Sequence, residues 1–128
     1  MRIGMRTIAP LLAVLLVTAL AHAQGPTVTT PRNGDAIGPA IDVNGSLGHY
    51  GLIVVITDVY RTAGNEKVAS VPGIRHYTEQ SGSFAFHVAT PRGWREREPL
   101  TYKVRVFELR KPGDRGPETV VTCRSAGQ

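Results

Sequence analysis

Cysteine and tryptophan are nearly absent from this sequence, which has one of each, Cys123 and Trp94, among 128 residues. A single cysteine excludes an intramolecular disulfide, so packing alone must hold the core together. Cys123 follows the run Thr-Val-Val-Thr at residues 119–122, which favours a buried structural thiol over a nucleophile or an intermolecular disulfide.

Residue patterns typical of catalytic or metal-binding sites are also missing. The histidines beyond the first 23 residues, His49, His76 and His87, show no metal-ligand spacing, and there is no aspartate-rich loop of the calcium type. Ser81 lies in a Ser-Gly-Ser sequence, but no helix follows it to complete a nucleophile elbow. We therefore expect no enzyme and no cofactor. Metal binding by histidines that converge only in the folded chain stays open.

The first residues have the pattern of a targeting segment. Arg2 and Arg6 precede an almost wholly apolar run at residues 8–21, and Ala21-His22-Ala23 supplies the small residues that a signal peptidase requires. This pattern predicts a cleavable signal peptide over residues 1–23. An uncleaved membrane anchor is the alternative.

Cleavage would leave one small domain, residues 24–128, which is 105 of the 128 residues. A chain of this length excludes a two-lobed enzyme with a cleft between its domains. No second long apolar run follows, so we expect no stable membrane span after cleavage. The expected location is the periplasm or the outside of the cell.

The charge balance is mildly positive. Two of the 15 basic residues lie in the predicted signal peptide, so 13 basic residues face 10 acidic ones, a net charge of +3. This balance favours weak attraction to anionic surfaces such as cell-wall polymers, and together with export it argues against a nucleic-acid partner. The expected partner is an envelope or surface protein, or a polysaccharide.

Short blocks of β-formers between turn signals make up the rest of the chain, with no convincing helical repeat. Their number and spacing predict an all-β, antiparallel sandwich of seven or eight strands. The block at 52–60 is apolar on both faces and is expected at the centre of a sheet. The stretch 66–79 is the expected edge, as one bent strand or a hairpin, and a slip in alternation at 107–109 suggests a bulge. The predicted strands are 27–30, 41–45, 52–60, 66–71, 74–79, 83–88, 100–106 and 118–123.

The order of these motifs resembles bacterial immunoglobulin-like domains. The resemblance is carried by Pro31-Arg32-Asn33-Gly34, by Ile41-Asp42-Val43-Asn44-Gly45 and by an apolar strand that contains Asp58, followed by Gly82-Ser83-Phe84-Ala85-Phe86 and the strand from Tyr102. It covers nearly all of residues 24–128 and is similar to exported modules on surface proteins and beside spore-germination proteins.

The resemblance implies an immunoglobulin-like sandwich used for adhesion, spacing or ligand binding. It further implies that Gly34 and Gly45 adopt backbone conformations that other residues resist, and that Tyr102 is structural. The chain departs from antibody-type domains because it lacks their bridging pair of cysteines.

A ligand or partner contact is predicted in the polar, arginine-rich connection at residues 91–99. Trp94 lies between Arg92 and Arg95, so a flat amphipathic ring and positive charge occur together, and Tyr77 is a further contact candidate near a loop. Two other interpretations remain: Trp94 folds back to cap the sandwich, and the arginines are a solvated loop.

Three hypotheses follow for the function. The first is a non-catalytic exported module that binds a protein or an envelope polymer. The second is a small carbohydrate-binding module that uses Trp94 and nearby tyrosines, and the third is a periplasmic metal-binding protein that uses His76 or His87.

Overall fold

The structure of the protein is a computed structural model that describes residues 25–90, 98–111 and 113–126. These residues form nine β-strands and no helix. The strands are β1 (Thr27–Thr30), β2 (Ala36–Ile37), β3 (Ala40–Ser46), β4 (Leu52–Arg61), β5 (Lys67–Tyr77), β6 (Ser83–Ala89), β7 (Leu100–Lys111), β8 (Asp114–Arg115) and β9 (Thr119–Ser125).

Two sheets share these strands. The first has three strands in the order β1-β3-β6, and the second has six, in the order β2-β9-β7-β4-β5 with β8 paired to β7. All neighbours are antiparallel except β2 and β9, which run parallel. The predicted all-β class and mostly antiparallel pairing are confirmed.

The sheets pack face to face because one face of each is apolar. In β6, Phe84, Phe86 and Val88 are buried while the residues between them are exposed, and β7 alternates in the same way through Val106. The two inner faces form one core. It consists of Ile37, Ile41, Val43, Ile53, Val55, Val59, Phe84, Phe86, Val88, Leu100, Tyr102, Val104, Val106, Val121 and Cys123.

Strand β4 lies between β5 and β7, as its two apolar faces predict. Ile53 and Val55 face the core, while Val54 and Asp58, on the opposite face, are also almost fully buried at 5% and 4% exposure. The outer face of the six-stranded sheet is therefore partly covered by its own side chains.

Strand β5 is a single bent strand at the edge of its sheet, which settles the choice between a bent strand and a hairpin. Val55 lies opposite Ile74 but Thr57 lies opposite Val71, so β5 has an extra residue in a bulge. The bulge falls at Pro72-Gly73. An edge tolerates proline, because the missing N–H would point away from the sheet.

Strand β7 has no bulge against β4 at residues 107–109. The register runs unbroken from Glu108 opposite Ile53 to Leu100 opposite Arg61. Phe107 breaks the apolar alternation because it lies on the outer face, where the Arg115 guanidinium covers its ring at 4.8 Å from the centroid. The irregularity in β7 comes later, between Leu109 and Lys111, in its pairing with β8.

Gly34 and Gly45, the two glycines singled out by the resemblance to immunoglobulin-like domains, have different roles. Gly34 has a φ of +88°, as expected for a turn that needs the left-handed region. Gly45 does not have a positive φ, so that expectation is wrong for it. The reason for glycine there is space, because an added Cβ would lie 2.0 Å from the carbonyl oxygen of Thr27.

Candidate functional site

Two connections meet at one end of the sandwich: residues 47–51, which join β3 to β4, and residues 78–82, which join β5 to β6. The Leu47 N–H donates to the carbonyl oxygen of Gly82 at 2.8 Å. Gly82 has a φ of +95°, and a Cβ at this position would lie 2.5 Å from the backbone nitrogen of His49. Only glycine allows the two connections to pack this closely.

Further hydrogen bonds fix the side chains at this end. Thr78 donates its N–H to the carbonyl of Gly51 at 2.8 Å, and the Gly51 N–H donates to Thr78 Oγ1 at 3.1 Å. In the register of β4 and β5, Leu52 lies opposite Tyr77. Tyr50, two residues before Leu52, is therefore held next to Tyr77.

Tyr50 and Tyr77 stack and are called the tyrosine pair. Their ring centroids are 5.5 Å apart and their planes differ by 7°. The residues are 49% and 59% exposed, so the stack is a surface feature and not part of the core. Two flat, half-exposed rings in a fixed arrangement provide a preorganised contact surface.

A groove of about 680 Å³ opens beside the tyrosine pair and is called the tyrosine groove. Leu52 at the start of β4 and Leu109 near the end of β7 contribute apolar area to its lining. This size is in the usual range for sites that bind small molecules or short polymer segments. The aromatic and charged lining residues are Tyr50, Arg75, Tyr77, Glu108, Arg110 and Lys111.

The charge of the tyrosine groove is positive. Among the described residues, no carboxylate lies within ion-pairing distance of Arg75 or Lys111. Glu108 is 14% exposed at its side chain, and its carboxylate is 3.0 Å from His49 Nε2 and 3.6 Å from Arg110 Nε. The groove therefore has two cations without an anionic partner and one anion that is already paired.

A second cavity of about 390 Å³ shares Glu108 and Arg110 with the tyrosine groove. It is lined by residues 25–27, 46–49 and 117 in addition to those two side chains. Glu108 and Arg110 thus line both cavities, and of the two only the tyrosine groove has the tyrosine pair in its lining.

The predicted contact residues have different outcomes. Tyr77 is exposed and lies in the tyrosine groove. Arg92, Trp94 and Arg95 lie outside the described residues, so their predicted contact role stays a prediction.

Glu98, at the described end of the predicted arginine-rich connection, lies far from Tyr77. Glu98 accepts a hydrogen bond from Arg61 Nε at 2.8 Å, and Arg61 is the last residue of β4. Tyr77 faces Leu52, the first residue of the same strand. At about 3.3 Å per residue, the ten residues of β4 place Tyr77 and Glu98 about 30 Å apart, at opposite ends of the sheet.

Sequence reasoning missed the basic residues of the groove. Arg75 is two residues before Tyr77, so the two residues share one face of a strand, and this signal was present in the sequence. Arg110 and Lys111 lie at the start of a Pro/Gly turn, where basic residues are common and carry no specific signal. Tyr50 is visible in the sequence only as an aromatic residue near a loop.

The three histidines among the described residues each lie close to a protein group. His49 contacts Glu108, His87 Nδ1 lies 2.7 Å from Asp42, and His76 Nδ1 lies 2.9 Å from the carbonyl oxygen of Tyr77. Within the described part of the chain, no group of three or more His, Cys, Asp and Glu side chains could hold a metal ion.

Asp58 is a buried carboxylate in a network of donors. Ser70 Oγ donates to it at 2.7 Å, Lys67 Nζ lies at 3.3 Å, and Arg105 Nη1 donates at 3.2 Å while also pairing with Glu118. Burial acts to raise the pKa of Asp58, but these hydrogen bonds and charges outweigh it and hold the pKa below the usual value. The carboxylate therefore stays ionised, unlike a general acid whose pKa lies near neutrality.

Cys123 is a buried member of the core, as its sequence context predicts. The residue is 2% exposed, and its Sγ lies 3.6 Å from the carbonyl oxygen of Arg32, to which the thiol donates. Burial, with a smaller effect of the Asp35 charge, raises the pKa of the thiol to about 11. The thiolate that a nucleophile requires is scarce at neutral pH.

No protein-family model matches the chain, and no curated protein matches it either. The described residues also contain no helix that is long and apolar enough to cross a membrane.

Proposed function

We propose that this protein is an exported, non-catalytic interaction module with an immunoglobulin-like fold, which binds a protein or a polymer of the cell envelope through the tyrosine groove. The observation that carries the proposal is the tyrosine pair, Tyr50 and Tyr77, stacked and about half exposed beside a groove of about 680 Å³. Preorganised aromatic side chains of this kind are enriched in binding surfaces.

The strand order supports the immunoglobulin-like assignment. The sheet β1-β3-β6 corresponds to strands A, B and E of such a sandwich, and β9-β7-β4-β5 corresponds to G, F, C and C′. Tyr102 lies near the start of the strand that corresponds to F and is fully buried, where these domains have a structural tyrosine. Two residues later antibody domains have a cysteine, and this chain has Val104, also fully buried.

The same correspondence supports the position of the site. In antibody variable domains the binding loops connect B to C, C′ to C″ and F to G at one end of the sandwich. The end of the sandwich that carries Tyr50 and Tyr77 is called the tyrosine end. The connections there are those after β3, after β5 and after β7. Tyr50 and Tyr77 belong to, or adjoin, the first two, and Lys111 ends the strand before the third.

The proposal of a non-catalytic role rests on two of the groups whose pKa is shifted, Asp58 and Cys123. Asp58 is held ionised by its neighbours, and Cys123 is held as the protonated thiol. An ionised Asp58 has no proton to give as a general acid, and its lowered pKa makes it a weak base, while Cys123 lacks the thiolate that a nucleophile needs. Neither residue lines the tyrosine groove.

Export rests on the amino-terminal pattern. The basic residues Arg2 and Arg6, the apolar run and Ala21-His22-Ala23 together support cleavage before Gln24. Expression of the full sequence in a bacterial host should give a periplasmic or secreted protein whose first residue is Gln24. Recovery from the cytoplasm with an intact amino terminus would contradict export.

Capture of envelope components tests the binding site. We expect the exported protein to retain a specific component of an envelope extract, and Tyr50→Ala/Tyr77→Ala to lose at least tenfold of that retention. Tyr60→Ala is the matched control, since Tyr60 lies near the far end of β4, where it contacts Lys103. Equal losses in the two variants, or equal retention by both, would contradict binding through the tyrosine groove.

A further inference from the structure

We propose that the tyrosine groove binds an acidic polysaccharide, a polymer of sugar rings that carry carboxylates. The inference rests on the proposed function and specifies its ligand. It is carried by the stacked rings of Tyr50 and Tyr77 together with the cations Arg75, Arg110 and Lys111 in one groove.

The rings provide the contact for the sugar face. A tyrosine presents a flat apolar surface, against which the C–H face of a sugar ring can pack, and a hydroxyl at its edge for hydrogen bonding. The two rings are already parallel, with planes 7° apart, so binding does not have to order them.

The register of β4 and β5 places charge beside the rings. Arg75 and Tyr77 share one face of β5, opposite Val54 and Leu52 of β4. A ring that packs on Tyr77 therefore has a guanidinium along the same strand, about two residues or 7 Å away. The planar fork of arginine matches a carboxylate with two parallel hydrogen bonds.

The charges in the groove select an anionic ligand. Glu108 is the one carboxylate among the described lining residues. Its charge is offset by Arg110, whose Nε lies at 3.6 Å, and one of its oxygens lies 3.0 Å from His49 Nε2. Arg75 and Lys111 have no carboxylate within ion-pairing distance in the described chain, so their charges are available to a ligand. A neutral polysaccharide would leave these two cations without a partner.

The size of the groove favours a polymer segment over a folded partner. A volume of about 680 Å³ suits a short segment of a polymer or a small molecule. A stable protein interface instead needs about 800 Å² of surface on each partner. A polysaccharide can place one segment in the groove while the chain on either side of that segment extends out of the groove.

Affinity electrophoresis with the whole exported protein tests the proposal. The gels contain polygalacturonate, alginate or hyaluronan as carboxylated polymers, dextran as the neutral polymer, and polyphosphate as an anionic polymer without sugar rings. We expect retardation by at least one carboxylated polymer at a concentration at least tenfold below any effect of dextran or polyphosphate.

Two variant pairs separate ring contact from charge. For the rings, Tyr77→Ala should weaken binding at least tenfold relative to its control, Tyr60→Ala. For the charges, the double variant Arg75→Gln/Lys111→Gln should weaken binding at least tenfold relative to its control, Arg124→Gln/Lys103→Gln. Arg124 lies opposite Thr101 and Lys103 lies opposite Asp58, toward the other end of the sheet. The control removes the same two positive charges as the test variant, but away from the groove.

Three results would overturn the proposal: equal binding to polyphosphate, equal effects of the two charge variants, or no retardation by any carboxylated polymer. The last result is distinguished from failure of the proposed function by the envelope capture above. Capture that depends on Tyr50 and Tyr77 without carboxylated-polymer binding would reject only the acidic polysaccharide, whereas loss of both would reject the binding site itself.

Discussion

A buried carboxylate makes part of the stability of this fold depend on pH. The side chain of Asp58 is 6% exposed and pairs with Lys67 and Arg105. Burial works to raise its pKa, but the hydrogen bond from Ser70 and the two cations lower it below the ordinary value of 3.8. Ionised Asp58 therefore stabilises the folded state above the ordinary carboxylate range, and this contribution is lost as the pH falls through the folded-state pKa.

Asp58→Asn tests this contribution. The amide keeps the shape of the side chain but removes the charge that pairs with Lys67 and Arg105, both of which are partly exposed. We expect the free energy of unfolding at pH 7 to fall by about 2 kcal/mol, as for hydrogen bonds to charged groups. The difference from the parent protein should be constant above about pH 5 and shrink below about pH 4. Urea unfolding followed by far-UV circular dichroism at several pH values measures it.

Asp42→Asn is the matched control. Asp42 also contacts a basic side chain, His87, at 2.7 Å, but both side chains are more than 70% exposed. Exposed pairs contribute at most about 1 kcal/mol, so the control should change stability much less than Asp58→Asn. Equal losses, or a loss at Asp58 that does not shrink as the pH falls below the ordinary carboxylate value of 3.8, would contradict the assigned role.

The pairing of β1 with β3 depends on one glycine in the middle of the three-stranded sheet. Gly45 lies opposite Val28 of β1 and Phe84 of β6. A Cβ added to it would lie 2.0 Å from the carbonyl oxygen of Thr27 and 2.7 Å from Cζ of the Phe84 ring. The Phe84 ring can move, but the Thr27 oxygen is backbone, so β1 itself would have to shift.

Gly45→Ala should therefore lower the free energy of unfolding by about 1–3 kcal/mol, the usual cost of overpacking. Hydrogen exchange should also become faster at the amides of β1. Gly38→Ala is the control, because no atom lies within 4 Å of a Cβ at that position and its φ is not positive. It should leave stability unchanged or raise it by about 0.5 kcal/mol. Equal stability of the two variants would show that β1 does not pack as closely as described.

The strands that could be predicted are those whose own side chains alternate or are continuously apolar. β4, β6 and β7 bury one or both faces, and the order of apolar and polar residues along each of them indicates this directly. β2 and β8 were not predicted, because each has two residues and exists only by pairing with β9 or β7. The sequence alone does not decide whether the chain continues as one strand through Pro72-Gly73, since a proline–glycine sequence fits a bulge and a turn equally well.

The candidate site was less predictable than the fold because it is assembled from three separate parts of the chain. Tyr50, Tyr77 and Lys111 come together through the register of β4 with β5 and β7 and through the packing of two connections. No local sequence pattern encodes the contact of these three parts, so the sequence predicts only Tyr77 of the three residues as a contact residue. The sequence also predicts a contact at Trp94, which lies outside the described residues. The same connection includes Glu98, which lies at the end of the six-stranded sheet opposite to Tyr77.

Both sheets share one core, so the molecule should unfold as a single unit. Val43 of the three-stranded sheet and Val104 of the six-stranded sheet are both fully buried and belong to the same cluster. Val43→Ala and Val104→Ala each remove two methyl groups from it, at a cost of about 2 kcal/mol including the cavity. For a domain of this size each should lower the Tm by about 8–16 °C.

The coupling of the sheets is tested by the shape of these unfolding curves. Because neither sheet can bury its apolar face alone, both variants should keep one transition, with the same midpoint by far-UV and near-UV circular dichroism. Val120→Ala is the control, since Val120 is 46% exposed on β9 and should shift the Tm by less than about 3 °C. An early, separate transition in Val43→Ala would mean that β1, β3 and β6 melt independently. The tyrosine end, which is built on connections between the two sheets, would then lose its support while the six-stranded sheet was still folded.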